Sequence, residues 1–182
     1  LEAAVEQATS NAEFHYNLAL VYGDLNELEL AQKHYELALS IRPGMAPALN
    51  NLGNIMKELK DFSRAVECYH QAIEADETYM PAHKNLADAF ETSGFAEAAH
   101  EAYTTALNLR SDPGTRIRDA LVLPVFPDST DHILELRAGL EAKLDELLDD
   151  DLSIEDPLRE VGATNFLLAY HGLNDKVIQQ KI

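Results

Sequence analysis

Residues 46–79, APALNNLGNIMKELKDFSRAVECYHQAIEADETY, set the architecture of the chain, because similar stretches come directly before and after them. Three tripeptides mark equivalent places: Asn17-Leu18-Ala19, Asn51-Leu52-Gly53 and Asn85-Leu86-Ala87. The step between them, about 34 residues, is typical of proteins built from repeated supersecondary units. We therefore expect full repeats over residues 12–45, 46–79 and 80–111.

Five positions of the repeat carry similar side chains in all three copies. The eighth residue is small, the eleventh is bulky, and the twentieth, twenty-fourth and twenty-seventh are alanine, tyrosine and alanine. In that order the positions are Ala19, Gly53 and Ala87; Tyr22, Met56 and Phe90; Ala31, Ala65 and Ala99; Tyr35, Tyr69 and Tyr103; Ala38, Ala72 and Ala106. Two helices approach closely only where side chains are small, so the small residues predict helix crossings.

The pattern resembles the tetratricopeptide repeat, a pair of helices that stacks on its neighbours. The resemblance implies an all-α fold, a helix-pair superhelix (solenoid), and a protein that holds another polypeptide. Leu1 and Ala4 lie one full repeat before Tyr35 and Ala38, so residues 1–11 are expected to be half of a further repeat. That phase favours a longer parent chain with more repeats upstream.

The repeat pattern ends near residue 111, and we expect residues 112–182 to form a mostly helical linker or capping region. Residues 116–126 are rich in β-formers and predict an extended segment with one short strand. Asp128 or Ser129 is expected to cap a helix that runs to about Leu148. Its apolar stripe is Ile133, Leu136, Leu140, Leu144 and Leu147. Further helices are expected over residues 158–170 and from about 174 to the end. Residues 128–160 carry a net charge of −9, which indicates a solvated face or, alternatively, an acidic docking surface.

Two short stretches of this region carry a second resemblance. Residues 116–124, RIRDALVLP, and 156–172, DPLREVGATNFLLAYHG, resemble a segment of bacterial repeat proteins related to O-linked N-acetylglucosamine transferase and SPINDLY. In those proteins the segment joins the repeat arm to a two-lobed glycosyltransferase domain. The family's catalytic histidine and sugar-nucleotide pocket have no match here, so the resemblance implies an enzyme as the parent and no catalysis by this chain. His171 is interpreted as structural.

The candidate binding residues are amides and lysines on the first helix of each repeat. Asn17, Asn51 and Asn85 occupy the sixth position, which the resemblance places on the concave side of the superhelix, where such asparagines hold acceptor polypeptides. A primary amide both donates and accepts, so a row of amides can pair with a peptide main chain. We expect all three to be exposed and free of internal hydrogen bonds. The other candidates are Asn54, Lys57 and Lys84.

Two other interpretations of these residues stay open. The asparagines could bond only to neighbouring helices. A carboxylate clamp is the second alternative, with Lys57 and Lys84 as its cations beside Asn85, although such clamps also use an arginine and further asparagines.

Charge and composition limit the classes of partner and site. The net charge of −18 repels the phosphates of nucleic acids and anionic lipids, so neither is an expected partner. No apolar run is long enough to span a membrane, and the single cysteine, Cys68, fits a cytoplasmic protein. The seven histidines lack metal-ligand spacing, and no cofactor motif is present, so neither a metal nor a cofactor is expected. The sequence predicts a protein-binding module, either the substrate-presenting arm of a glycosyltransferase or a stand-alone scaffold, and leaves its oligomeric state open.

Overall fold

The computed structural model describes residues 11–124 and 128–150, which fall into two compact units, Leu1–Ala89 (unit 1) and Phe90–Ile182 (unit 2). These described residues form eight helices and no strand, which confirms the all-α class. The helices are α1 Ala12–Asp24, α2 Leu28–Ile41, α3 Ala46–Glu58, α4 Phe62–Ala75, α5 Met80–Thr92, α6 Ala96–Leu109, α7 Pro113–Leu121 and α8 Thr130–Asp149. None of the described helices is long and apolar enough to cross a membrane.

The turns inside the repeats recur at the same step as the sequence. Asn26, Lys60 and Gly94 have φ angles of 59°, 67° and 82°, and each lies one repeat after the one before it. Each follows the first helix of its repeat. A left-handed residue at this point ends one helix and redirects the chain into the next. Glycine and asparagine adopt this conformation readily, whereas at Lys60 the backbone is strained.

Small residues lie at the tightest places in unit 1, as the sequence predicted. Ala19, Ala31 and Ala65 are fully buried. A Cβ atom added to Gly53 would lie 2.5 Å from Cε1 of Tyr69, so the ring of α4 packs directly on the backbone of α3. The equivalent tyrosines at the twenty-fourth position are all buried, which confirms their expected place in the core.

The same repeat positions are buried in unit 2, where α6 contributes Ala99, Tyr103 and Ala106 to the interior. The Tyr103 hydroxyl donates to Glu91 Oε2 at 2.8 Å. Beyond the repeats, α7 and α8 pack through leucines: Leu140 and Leu144 are buried, and Leu121, Leu123 and Leu147 lie against them.

The expected strand within residues 116–126 is wrong. Residues 113–121 form helix α7, and no described residue of the segment is a strand. The helix begins because the Asp112 side chain accepts a hydrogen bond from the Thr115 amide at 2.8 Å, with Pro113 in the first turn. This aspartate cap and the proline, which fits the first turn of a helix, outweigh the β-forming composition.

The helix expected after Asp128 or Ser129 is confirmed as α8, and the Ser129 side chain caps it by accepting from the His132 amide at 3.1 Å. The half-repeat at residues 1–11 lies outside the described residues except for Asn11, which caps α1. The elements expected beyond residue 156, the second resembling stretch and His171 also lie outside them.

Candidate functional site

A chain of hydrogen-bonded side chains connects the first helices of unit 1. Asn85 Nδ2 on α5 donates to Asn50 Oδ1 on α3 at 2.8 Å. Asn50 Nδ2 donates to its neighbour Asn51 Oδ1 at 3.2 Å, and Asn51 Nδ2 donates to the Tyr16 hydroxyl on α1 at 3.3 Å. We call these four residues the amide chain.

The two bonds between helices share one rule. Asn85 reaches Asn50 and Asn51 reaches Tyr16, and both pairs are separated by 35 residues. The sixth residue of one repeat therefore bonds the fifth residue of the preceding repeat. Asn17 is exposed, and its side chain forms no hydrogen bond to another described residue.

The expectation that all three asparagines are free of internal hydrogen bonds is wrong for Asn51 and Asn85. Both are half-buried and bond to neighbouring helices. Each amide nevertheless keeps part of its hydrogen-bonding capacity, because a primary amide has two N–H donors and a carbonyl with two lone pairs. The role of Asn17, Asn51 and Asn85 in binding stays a prediction.

Asn54 is anchored in a different way. The Tyr69 hydroxyl of α4 donates to Asn54 Oδ1 at 2.8 Å, so Asn54 ties the two helices of its own repeat together. Burial raises the pKa of Tyr69, which keeps this hydroxyl protonated and able to donate. The candidate lysines, Lys57 on α3 and Lys84 on α5, are half-buried on the same helices as the amides.

A groove of about 520 Å³ lies beside the Tyr16 end of the amide chain. The residues that line it include Glu13, Tyr16, Arg42, Met45, Ala46 and Asp76. Arg42 forms an ion pair with Glu13, so its charge is already compensated at the edge of the groove. Burial raises the pKa of nearby Tyr35 to about 12, and a hydrogen bond from Asn51 partly opposes this shift.

The histidines of the first repeat have a packing role. His15 is buried, and its Nδ1 lies 3.0 Å from Nδ1 of His34. At this distance one of the two nitrogens carries the hydrogen and donates it to the other, and the two rings are stacked with an angle of 20° between their planes. Burial, followed by the charges of His15 and Lys33, lowers the pKa of His34.

Neither Cys68 nor any group of possible metal ligands forms a second site among the described residues. Burial raises the pKa of the Cys68 thiol to about 11, so it is protonated near neutral pH, as expected for a packed thiol. The described residues contain no group of three or more histidine, cysteine or acidic side chains that could hold a metal ion.

Asn50 and Tyr16, the two acceptors that connect the repeats, were not predicted from the sequence. Asn50 was detectable because it lies four residues before Asn54 and so shares a helix face with it. Tyr16 gave no such signal, because the fifth residue of the repeat varies: it is tyrosine, asparagine and then Lys84.

Comparison with known proteins identifies the repeats. Residues 10–78 match the model of the tetratricopeptide repeat family. Over these residues the chain is similar to tetratricopeptide repeats.

Three solved structures share the fold at low sequence identity. The N-terminal domain of stress-induced protein-1 (STI-1) from C. elegans is 21% identical, with a TM-score of 0.56 over 62% of this chain and 94% of that one. The first tetratricopeptide domain of Spaghetti (RPAP3), solved with the HSP90 peptide SRMEEVD, is 18% identical, with a TM-score of 0.54 over 74% and 94%. MamA is 18% identical, with a TM-score of 0.66 over 81% and 82%. At these identities the likeness shows the fold.

Proposed function

We propose that the tetratricopeptide repeats of unit 1 bind another polypeptide in an extended conformation, through hydrogen bonds to its main chain. The amide chain of Asn85, Asn50, Asn51 and Tyr16 is the observation that carries this proposal. Each peptide group of a bound segment has one N–H and one C=O, and primary amides are complementary to both. A row of amides therefore suits a main chain irrespective of its side chains.

The internal hydrogen bonds of Asn51 and Asn85 orient these amides and use only part of their hydrogen-bonding capacity. A side chain that is already held in one orientation loses less conformational entropy when it binds a partner. Asn85 uses one N–H toward Asn50, and its second N–H and its carbonyl bond no other side chain among the described residues, so a ligand could use them. Asn17, exposed on α1, and the half-buried Lys57 and Lys84 complete the proposed site.

The charge of unit 1 favours a neutral or basic segment as the partner. Residues 11–89 contain twelve acidic and six basic side chains, a net charge of −6.

Spaghetti, whose first tetratricopeptide domain has this fold, is solved with the peptide SRMEEVD, and this precedent supports peptide binding by such helix pairs. The carboxylate-clamp alternative is less well supported, because Asn85 already bonds Asn50 and the groove beside Tyr16 carries Glu13 and Asp76.

The test is binding of unrelated, unstructured peptides to the purified chain, measured by fluorescence anisotropy at low temperature. We expect a single Asn→Ala change at position 17, 51 or 85 to weaken binding by up to about tenfold, since a hydrogen bond contributes about 0.5–1.5 kcal/mol. The triple change should weaken all the bound peptides by similar, larger factors. Asn108→Ala, at an exposed asparagine of α6, is the matched control.

Circular dichroism at the assay temperature must show that the triple variant is folded, because Asn51 and Asn85 also tie helices together. Unchanged affinity in a folded triple variant would refute the proposal. A variant that loses its helical signal is replaced by Asn17→Ala alone, whose side chain has no bond to lose among the described residues.

We infer further that this module presents polypeptides to a glycosyltransferase, on the strength of the resemblance over residues 116–124 and 156–172. The alternative is a stand-alone scaffold with no enzyme attached. Transfer of N-acetylglucosamine from its UDP derivative by the natural full-length protein would distinguish the two. The chain by itself should show no saturable UDP binding in calorimetry.

A further inference from the structure

The amide chain has a direction. Every bond runs the same way: Asn85 donates to Asn50, Asn50 donates to Asn51, and Asn51 donates to Tyr16. Its last member is a hydroxyl that accepts through its oxygen and still holds its own hydrogen. The Tyr16 hydroxyl donates no hydrogen bond to another described residue.

The Tyr16 side chain is partly exposed and lines a groove. The ring is half-buried and lines the groove beside the turn between α2 and α3. Its ring centroid is 6.0 Å from that of Tyr35, which is buried, so the ring is held from one side. The chain of donors also polarises the hydroxyl, because an O–H whose oxygen accepts a hydrogen bond becomes a better donor.

We propose that Tyr16 is a ligand-binding residue of the site and donates its hydroxyl hydrogen to a main-chain carbonyl oxygen of the bound polypeptide. This inference rests on the proposed function. It adds that the ligand supplies a carbonyl oxygen at the Tyr16 end of the amide chain. Asn85 is at the opposite end of the amide chain. Its side-chain carbonyl is an acceptor and therefore suits a main-chain N–H of the ligand.

The charges around the groove favour a neutral carbonyl over a carboxylate. Glu13 and Asp76 contribute two negative charges, and Arg42 contributes one positive charge that is paired with Glu13. A ligand carboxylate entering this groove would meet a net negative charge, whereas an amide carbonyl carries none. The Tyr16 hydroxyl can satisfy such an oxygen without a charged partner.

The first test compares Tyr16→Phe with Tyr22→Phe. Tyr22 is another half-buried tyrosine of α1, but its ring stacks on His34 at 5.3 Å and lies outside the amide chain. The probes are fluorescein-labelled peptides of about fifteen residues, each made with a free C-terminal acid and with a C-terminal amide. We expect Tyr16→Phe to weaken binding about 2- to 10-fold for both forms, and Tyr22→Phe to leave it unchanged.

The second test asks whether Tyr16 contacts the ligand or only steadies Asn51. In the best-binding peptide, successive carbonyl oxygens are replaced one at a time by sulfur, a weaker acceptor. A direct bond predicts one position at which the replacement weakens binding to the wild type and has little effect on binding to Tyr16→Phe, the signature of coupling in a double-mutant cycle.

The outcomes separate this inference from the proposed function. If the asparagine variants lose affinity while Tyr16→Phe matches the wild type, or if no peptide position couples to Tyr16, the role of Tyr16 is refuted and the amide site stands. A loss confined to free-acid peptides refutes the neutral-carbonyl assignment in favour of a carboxylate. Absence of binding to any peptide by the folded wild type refutes both proposals.

Discussion

The helix pairs α3–α4 and α7–α8 are built from similar elements and hold together in different ways. Eight of the thirteen residues of α3 are buried, whereas α8 buries two of twenty. In the first pair an aromatic ring lies on a backbone glycine, and in the second a leucine stripe covers one side of an otherwise exposed helix.

The difference follows from the number of neighbours that each helix has. A repeat helix packs on its own partner and on the adjacent repeat: α3 contacts both α2 and α4. Side chains must fit on several sides at once, so small residues are required at defined positions. Helix α8 contacts α7 along one stripe among the described residues, so its stability depends on leucines and caps.

The largest effect is expected for Gly53→Ala in α3. The added Cβ would lie 2.5 Å from Cε1 and 2.8 Å from Cδ1 of Tyr69, a ring that is fully buried and cannot turn aside into solvent. We expect a loss of about 1–3 kcal/mol in the free energy of unfolding, typical of overpacked cores. Urea denaturation followed by circular dichroism measures it. An unchanged midpoint would show that the pair is not held by close fit.

A smaller loss is expected for Asp112→Ala, which removes the cap of α7. The carboxylate accepts from the Thr115 amide at 2.8 Å and bonds the Thr115 hydroxyl as well. Loss of an N-cap costs about 1 kcal/mol. Asp112→Asn, which keeps a capping side chain, is the matched control and should lie close to the wild type in the same urea experiment. Equal stability of the alanine and asparagine variants would contradict the capping role.

Gly139→Ala in α8 should change stability in the opposite direction from Gly53→Ala. No atom lies within 4 Å of the place that the alanine Cβ would take at residue 139, and the residue is inside a helix. Alanine restricts the unfolded chain and is favoured in helices, so we expect a gain of about 0.5–1 kcal/mol. A rise in the melting temperature measures it. A destabilised variant would mean that α8 is packed as tightly as α3.

The smallest effect concerns pH and the first repeat. The pKa of His34 is lowered from its ordinary 6.5 by burial, by His15 and by Lys33. His34 therefore takes up a proton more readily in the unfolded chain than in the folded one. Its contribution to the free energy of unfolding is present above pH 6.5 and is lost as the pH falls below that value. We expect the melting temperature to decrease between about pH 7 and 5, and His34→Gln to reduce that slope. A slope that stays equal in the variant would assign the effect to other groups.

Much of the fold was predictable because the repeat pattern reports a physical constraint. The buried alanines and tyrosines at the twentieth, twenty-fourth and twenty-seventh positions follow directly from close helix crossings, and they are where the period places them. Helix α7 was mispredicted because the β-forming residues after Arg116 were weighed above Asp112 and Pro113. The strength of a cap depends on one hydrogen bond, whereas composition sums weak preferences over many residues.

The sequence by itself determined the period of the repeats, the small residues at the crossings and the asparagine at the sixth position of each repeat. Only the tertiary structure decided which atoms those asparagines bond. The bonds join residues 35 apart, so each sixth-position amide meets the fifth residue of the preceding repeat. That offset of one position arises from how neighbouring helices pack, and no periodicity of the chain contains it. It brings Asn50 and Tyr16 into the site.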